Sequence, residues 1–346
     1  MILKRKLSLA FAMAVSAALI ALADQPNITP GPGVRYATDA FPGFDSEDNI
    51  VNPEKKEPKW FAFINGPKMS NPADQLDWAR QCEASGSYGR ARRAYDALVR
   101  EWPISPEAPV AQKAMADVLL NHELNYEDAF AEYRYLLDFY SLDCDYGAVA
   151  ELMYKVAELM REEGKTIIFF RFANTVDVRR AYEAVVLRSP GSPFVPQAML
   201  TIASLREDEQ KYEDAVKVYE NLRNIHPEKP EARTALHREA MVRMKLLDMH
   251  GYNRTRVLDT ASFLRQALRG DLPADMKADF EKWLDETSAL EESEAYNAAR
   301  FYDSRTRTRR SAINAYERFL KEYPTSAHAD EVRARLEVLK EEGSVK

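Results

Sequence analysis

A small residue, bulk four and seven positions later and a proline twelve positions later recur along this chain, and no other feature restricts its fold as tightly. Five copies keep the proline: Ala91-Tyr95-Leu98-Pro103, Val178-Tyr182-Val185-Pro190, Ala215-Tyr219-Leu222-Pro227, Ala261-Arg265-Leu268-Pro273 and Ala312-Tyr316-Phe319-Pro324. A sixth, Ala129-Tyr133-Leu136, carries Ser141 at the proline position. Steps of three and four put the first three residues on one helix face. The small residue lets a neighbouring helix approach closely, the bulky ones fill the groove, and the proline ends the helix.

A partner helix precedes each copy. In "QLDWARQCEA" Leu76, Ala79 and Glu83 interleave with Trp78 and Cys82, and "SGSYGR" then breaks the helix at Gly86 and Gly89. One helix pair cannot bury its apolar face alone, so the pairs must stack. Residues 73–342 are thus expected to form a solenoid of about six helical hairpins, closed by "SAHADEVRARLEVLKEE" as a capping helix and followed by a tail at 343–346. Successive small residues lie 38, 49, 37, 46 and 51 apart, so some helices must be lengthened or carry insertions. The most visible insertion is "GKTIIFFRFANT" (164–175), whose run Ile167–Phe170 is expected to pack against a neighbouring hairpin, or else to form an exposed apolar docking patch.

The N-terminus has a different character. Lys4, Arg5 and Lys6, the apolar run Leu7–Ile20 and Ala21-Leu22-Ala23 form an export signal over residues 1–23, with an uncleaved anchor as the alternative. Residues 24–72 hold eight of the eighteen prolines and few periodic apolar positions, as an extended tether does. Within it "KWFAFINGP" (59–67) is expected to cover the exposed end of the first hairpin, or else to dock a partner. Cys82 and Cys144 fall about two hairpins apart, too far for a bridge, and no disulfide is expected. A net charge of −7 argues against nucleic acid as a partner.

The linkers "EWPISPEAPVAQKAM", "RSPGSPFVPQAML" and "EYPTSAHADEVRARL" and the unit "EAYNAARFYDSRTRTRRSAINAYERFLKEYP" (294–324) resemble the BamD family over residues 73–342. These are periplasmic tetratricopeptide-repeat proteins of the outer-membrane β-barrel assembly machinery. The resemblance implies an all-α, tetratricopeptide-like solenoid and a non-catalytic scaffold. Its partners would be the periplasmic domains of the barrel-inserting membrane protein and unfolded outer-membrane protein clients. Family members carry a lipid-bearing Cys after the signal, and here Asp24 stands there. Attachment to the outer membrane would then run through a protein partner.

Counting from the aligned small residues, Arg80, Glu83, Asn121 and His122 should face the concave side, where the resemblance places clients. The same count gives Asn297, Phe301 and Arg305 in the last hairpin. Phe301 and Arg305, with Arg307 and Arg309, belong to "ARFYDSRTRTRR" (299–310), whose guanidinium groups suit an acidic protein surface. Enzymatic signatures are missing: the five histidines are scattered, and there is no Gly-x-Ser-x-Gly elbow or phosphate loop. No catalytic residue, metal, cofactor or small-molecule substrate is expected. The alternative function is a periplasmic adaptor coordinating cell division with peptidoglycan synthesis, although residues 24–72 lack the heptads of a trimerising coiled coil.

Overall fold

Where the spine pattern occurs the chain is helical, and turns of a few residues join one helix to the next. The computed structural model describes residues 66–166, 171–249, 253–304 and 309–344. The expected signal peptide, the tether up to residue 65 and the run Ile167–Phe170 lie outside these described residues. Among the described residues there are thirteen α-helices and no strand. They are α1 Pro72–Ala84, α2 Tyr88–Glu101, α3 Glu107–Val118, α4 Tyr126–Phe139, α5 Tyr146–Thr166, α6 Arg171–Arg188 and α7 Val195–Asp208. Then follow α8 Tyr212–Ile225, α9 Pro230–Met249, α10 Arg254–Ala267, α11 Ala274–Asp303, α12 Arg309–Glu322 and α13 Ala329–Ser344. Taken in order they make six hairpins and a final helix. The chain divides into two compact units, Met1–Ala198 and Met199–Lys346.

The spine sets the packing inside each unit. In the first, Ala91, Tyr95 and Leu98 on α2, Ala129, Tyr133 and Leu136 on α4, and Val178, Tyr182 and Val185 on α6 are all buried. In the second, the same holds for Ala215, Tyr219 and Leu222 on α8 and for Ala312, Tyr316 and Phe319 on α12. Burying each large member is worth about 1.5–3 kcal/mol. Polar bonds fix the register of the first two hairpins. The buried amides of Gln75 on α1 and Gln112 on α3 donate to the carbonyls of Ala94 and Glu132, one residue before each spine tyrosine (both 2.9 Å).

Four second helices end in the same doubled turn. The residue before proline donates its amide to the third spine residue: Trp102 to Leu98, Ser189 to Val185, His226 to Leu222 and Tyr323 to Phe319. Its own carbonyl accepts from the amide three residues on, those of Ser105, Ser192, Lys229 and Ser326. Proline therefore takes the second place of a tight turn, where its fixed φ is favoured and no donor is lost. After α4 the same turn forms around Ser141, with the Asp143 amide on the Tyr140 carbonyl at 3.0 Å. Proline stiffens this turn but is not needed to make it.

The fifth copy corrects the sequence alignment. Aligned by interval, Arg265 takes the tyrosine place and Pro273 the turn. Instead α10 stops at Ala267, Leu268 caps the Leu264 carbonyl, and Pro273 stands at the head of α11. Arg265 is exposed, and α10 buries Val257, Ala261 and Leu264. A guanidinium cannot occupy an apolar slot without a partner, so the helix turns Leu264 inward instead.

Another device holds this region. Glu239 on α9 is fully buried and accepts from Arg223 on α8 (2.8 Å) and Arg243 on its own helix (2.6 Å). Both guanidinium groups lie over the Phe263 ring, at 5.4 and 4.7 Å from its centroid. Burial pushes the Glu239 carboxyl above its ordinary value against the pull of the two arginines.

The long intervals come from long helices. Residues 164–166 and 171–175 of the expected insertion are helical, extending α5 and α6. The 30-residue α11 serves two clusters, packing Phe280 against Ala240 and Leu264 near its start, and Tyr296 and Ala299 against Tyr316 and Phe319 near its end.

Candidate functional site

A feature not visible in the spine itself links the two helices of five hairpins. Each spine tyrosine donates its hydroxyl to a carboxylate on the first helix of its own hairpin. The pairs are Tyr95 with Glu83 (2.7 Å), Tyr133 with Asp117 (2.5 Å), Tyr182 with Glu158, Tyr219 with Glu207 (2.6 Å) and Tyr316 with Asp303 (3.1 Å). Burial first, and the neighbouring carboxylate after it, push Tyr316 up to about 12 and the other four further.

The sequence interval of the buckle varies because the first helices vary. It is 12 or 13 residues where the acid lies within two residues of the helix end, as in Glu83, Glu207 and Asp303. It is 16 at Asp117, where a π-helical turn, Leu119–Glu123, follows α3, and 24 at Glu158, where α5 runs on to Thr166. Two acids take a further cation from the next hairpin or helix: Arg238 reaches Glu207 (3.1 Å), and Arg335 grips Asp303 through two bonds of 2.8 Å.

The four client-facing candidates fall within the first unit. Arg80 is exposed on α1 and pairs loosely with Asp77 at 3.5 Å. Glu83 is half-buried and engaged by Tyr95, so its foremost role is inside the hairpin. Asn121 and His122 stand exposed on the π-helical turn, which widens the backbone there. The His122 ring stacks on Tyr88 at 3.7 Å and 9°, and Glu123 beside it pairs with Arg92 (3.1 Å). These contacts tie the π turn to α2.

The other candidates lie in the second unit, at the end of α11. Asn297 and Phe301 are exposed one turn apart, and Phe301 meets Tyr302 edge-on at 5.8 Å. Arg309 opens α12 half-buried, while Arg305 and Arg307 lie outside the described residues. Beside them is a cleft of about 380 Å³ between the ends of α11 and α13, lined by Tyr296, Arg300, Asp303, Tyr316, Glu331 and Arg335 among others. Tyr296 stacks on His328 at 4.0 Å, and Arg300 lies over the same ring. The Arg335 bond, more than any other influence, holds the Asp303 carboxyl below its usual range.

Such a cleft offers fixed charges and an aromatic floor to a polypeptide. The hydroxyl of Ser304 at its rim donates to the Phe301 carbonyl rather than to a base. Among the described residues no three His, Cys, Asp or Glu side chains gather as a metal site, and no helix is long and apolar enough to cross a membrane. Cys82 is buried and Cys144 half-exposed, both as free thiols.

Residues 197–229 and 295–326 match the tetratricopeptide repeat family model. These stretches are the α7/α8 hairpin and the end of α11 with α12, the two places where the buckled acid also takes an arginine from the following helix. Together with the hairpin geometry they define an all-α tetratricopeptide-repeat fold, a class that serves as protein-binding scaffold or adaptor. No curated protein sequence matches the chain.

Solved structures with some likeness include MamA from Desulfovibrio magneticus RS-1, residues 41 to the end, at 14% identity, 57% of this chain, 98% of that one and a TM-score of 0.27. A MamA RS-1 double mutant gives 13%, 65%, 99% and 0.29. A tetratricopeptide repeat protein from Parabacteroides merdae ATCC 43184 gives 12%, 78%, 98% and 0.27. At those scores the likenesses add nothing to what the helices and the two matched stretches establish.

Proposed function

We propose that the chain is a non-catalytic periplasmic scaffold for the assembly of outer-membrane β-barrel proteins, held at the outer membrane by protein partners. In this reading the last hairpin docks an acidic surface on the barrel-inserting membrane protein, and the first two hairpins receive unfolded clients. The observation that carries it is the end of α11, where the exposed pair Phe301 and Tyr302 adjoins a cleft bearing Arg300 and Arg335. An aromatic anchor beside arginines is the composition of a protein-binding hot spot. The sequence adds Arg305, Arg307 and Arg309 directly after it.

A pull-down of residues 24–346 with the periplasmic domains of the barrel-inserting protein tests this, with and without Arg305→Glu and Arg309→Glu. Binding that weakens with the charge reversals supports both role and dock. Binding that ignores them keeps the role and moves the dock elsewhere. No binding by a chain shown helical by circular dichroism overturns the role and favours the division adaptor.

A further inference from the structure

The turns that leave α2 and α4 carry the two most exposed large apolar side chains of those described, Ile104 at 98% and Leu142 at 96%. They hold equivalent places, each two residues after the aromatic that ends the helix. In the other three turns of this type that place belongs to Gly191, Glu228 and Thr325. The two turns touch, since the Tyr140 hydroxyl donates to the Pro103 carbonyl at 2.8 Å. Phe139, more than a third exposed and stacked on Tyr135 at 4.3 Å, extends the same strip. Exposed apolar side chains at matched positions of two touching turns form a contiguous patch, the kind of surface that marks an interaction site.

The residues before α1 arrive at this edge. Hairpin helices alternate in direction, so the start of α1 lies on the side where α2 and α4 end. The arrival is pinned: the Gln75 carbonyl oxygen accepts from the amides of Lys68 (2.8 Å) and Met69 (3.0 Å), while its NH2 group holds the Ala94 carbonyl. Just upstream, outside the described residues, stand Trp60, Phe61, Phe63 and Ile64, four large apolar side chains within five residues. From Lys68 an extended chain reaches about 13 Å to Ile64 and about 26 Å to Trp60. Neighbouring helices pack about 8–10 Å apart, so both turns fall within that span. Charge does not oppose the docking: Lys55, Lys56 and Lys59 outnumber Glu54 and Glu57 by one just before the apolar residues, and Glu101, Asp143 and Asp145 are exposed along the edge.

We infer that residues 60–64 dock in cis on the Ile104–Leu142 ridge, so that this face of the first unit is occupied by the chain's own N-terminal segment.

Cys144, half-exposed two residues after Leu142, provides a resident probe. The full chain carrying Phe61→Cys is oxidised with copper phenanthroline, and the bonds formed are mapped by peptide analysis. The expected result is a bond within one chain between the introduced thiol and Cys144. Tethered and docked, it should form about tenfold faster than in the same variant with I104D and L142D, because docking raises the effective concentration. Both ridge side chains are in solvent, so their replacement leaves the fold in place. Equal rates with and without the ridge substitutions would overturn the inference. So would bonding to Cys82, or bonding between chains at a rate that rises with protein concentration, which assigns the ridge to a second copy.

Discussion

Replacing Tyr133 by phenylalanine removes one hydroxyl and leaves the ring that fills the spine. The hydroxyl sits in a fully buried residue and donates to Asp117 at 2.5 Å. A hydrogen bond to a charged acceptor contributes about 1.5–3 kcal/mol. Asp117 keeps a third of its side chain in water and has Lys113 as a second partner at 2.8 Å, which lowers the figure to about 1.4 kcal/mol. The cost depends on pH. Burial first and Asp117 second raise the phenol well above its ordinary value, whereas in the unfolded chain it ionises near about 10. With the folded value the higher one, the stabilisation is complete below about pH 10 and is lost above it at about 1.36 kcal/mol per pH unit.

At about pH 11 that loss equals the hydrogen bond, so Tyr133→Phe, the weaker protein at neutral pH, draws level there and is the more stable one beyond. Urea unfolding followed by far-ultraviolet circular dichroism in steps from about pH 8 to about pH 11.5 reads the crossing. A stability difference that stays constant over the whole range would refute the reasoning, because the phenol would then ionise as readily folded as unfolded.

Glu239→Ala removes the acceptor that Arg223 and Arg243 share and leaves a cavity in its place. It should cost about 3 kcal/mol and lower the melting temperature by about 6–12 °C, read by calorimetry. Asp303→Asn tests the opposite end of the pH scale. The folded carboxyl lies below its unfolded value, so the advantage of the parent over the variant is present above about pH 4 and shrinks as pH falls through the folded value. Paired thermal melts across that range should converge toward acid pH.

What the sequence discloses depends on whether position alone decides a residue's fate. The spine of α2, α4, α6, α8 and α12 is legible because period sets which side chain is inside. The turns are legible because proline marks them, and Ser141 shows that the interval serves as well as the residue. The fifth hairpin misleads for the same reason. Interval aligned Arg265 with the tyrosines, and only its charge says that it must stay in water while Leu264 goes in. Glu83 illustrates the limit at the candidate site. Its face can be counted from sequence, but its engagement by Tyr95 cannot, since the buckle interval stretches from 12 to 24 residues with how far the helix runs on past the acid. The arginine run 305–310 is plain as composition. The cleft beside it is not, because Tyr296 and Arg335 come together only through the packing of α13 on α11. Nor does the spine announce Glu239, the one buried acid of the three on its helix.

The length of α11 has a mechanical consequence. At thirty residues it is a beam of about 45 Å with the Phe280 cluster gripping one end and the Tyr296 cluster the other. A partner that tilted its far end by about 5° would displace it by about 4 Å relative to its start, with every helical hydrogen bond intact. Trp283 and Leu284, which pack with Phe280 against α9 and α10, form the fulcrum. Load placed on the last hairpin would thus arrive at the fifth as leverage, with no chain of side-chain rearrangements needed between them.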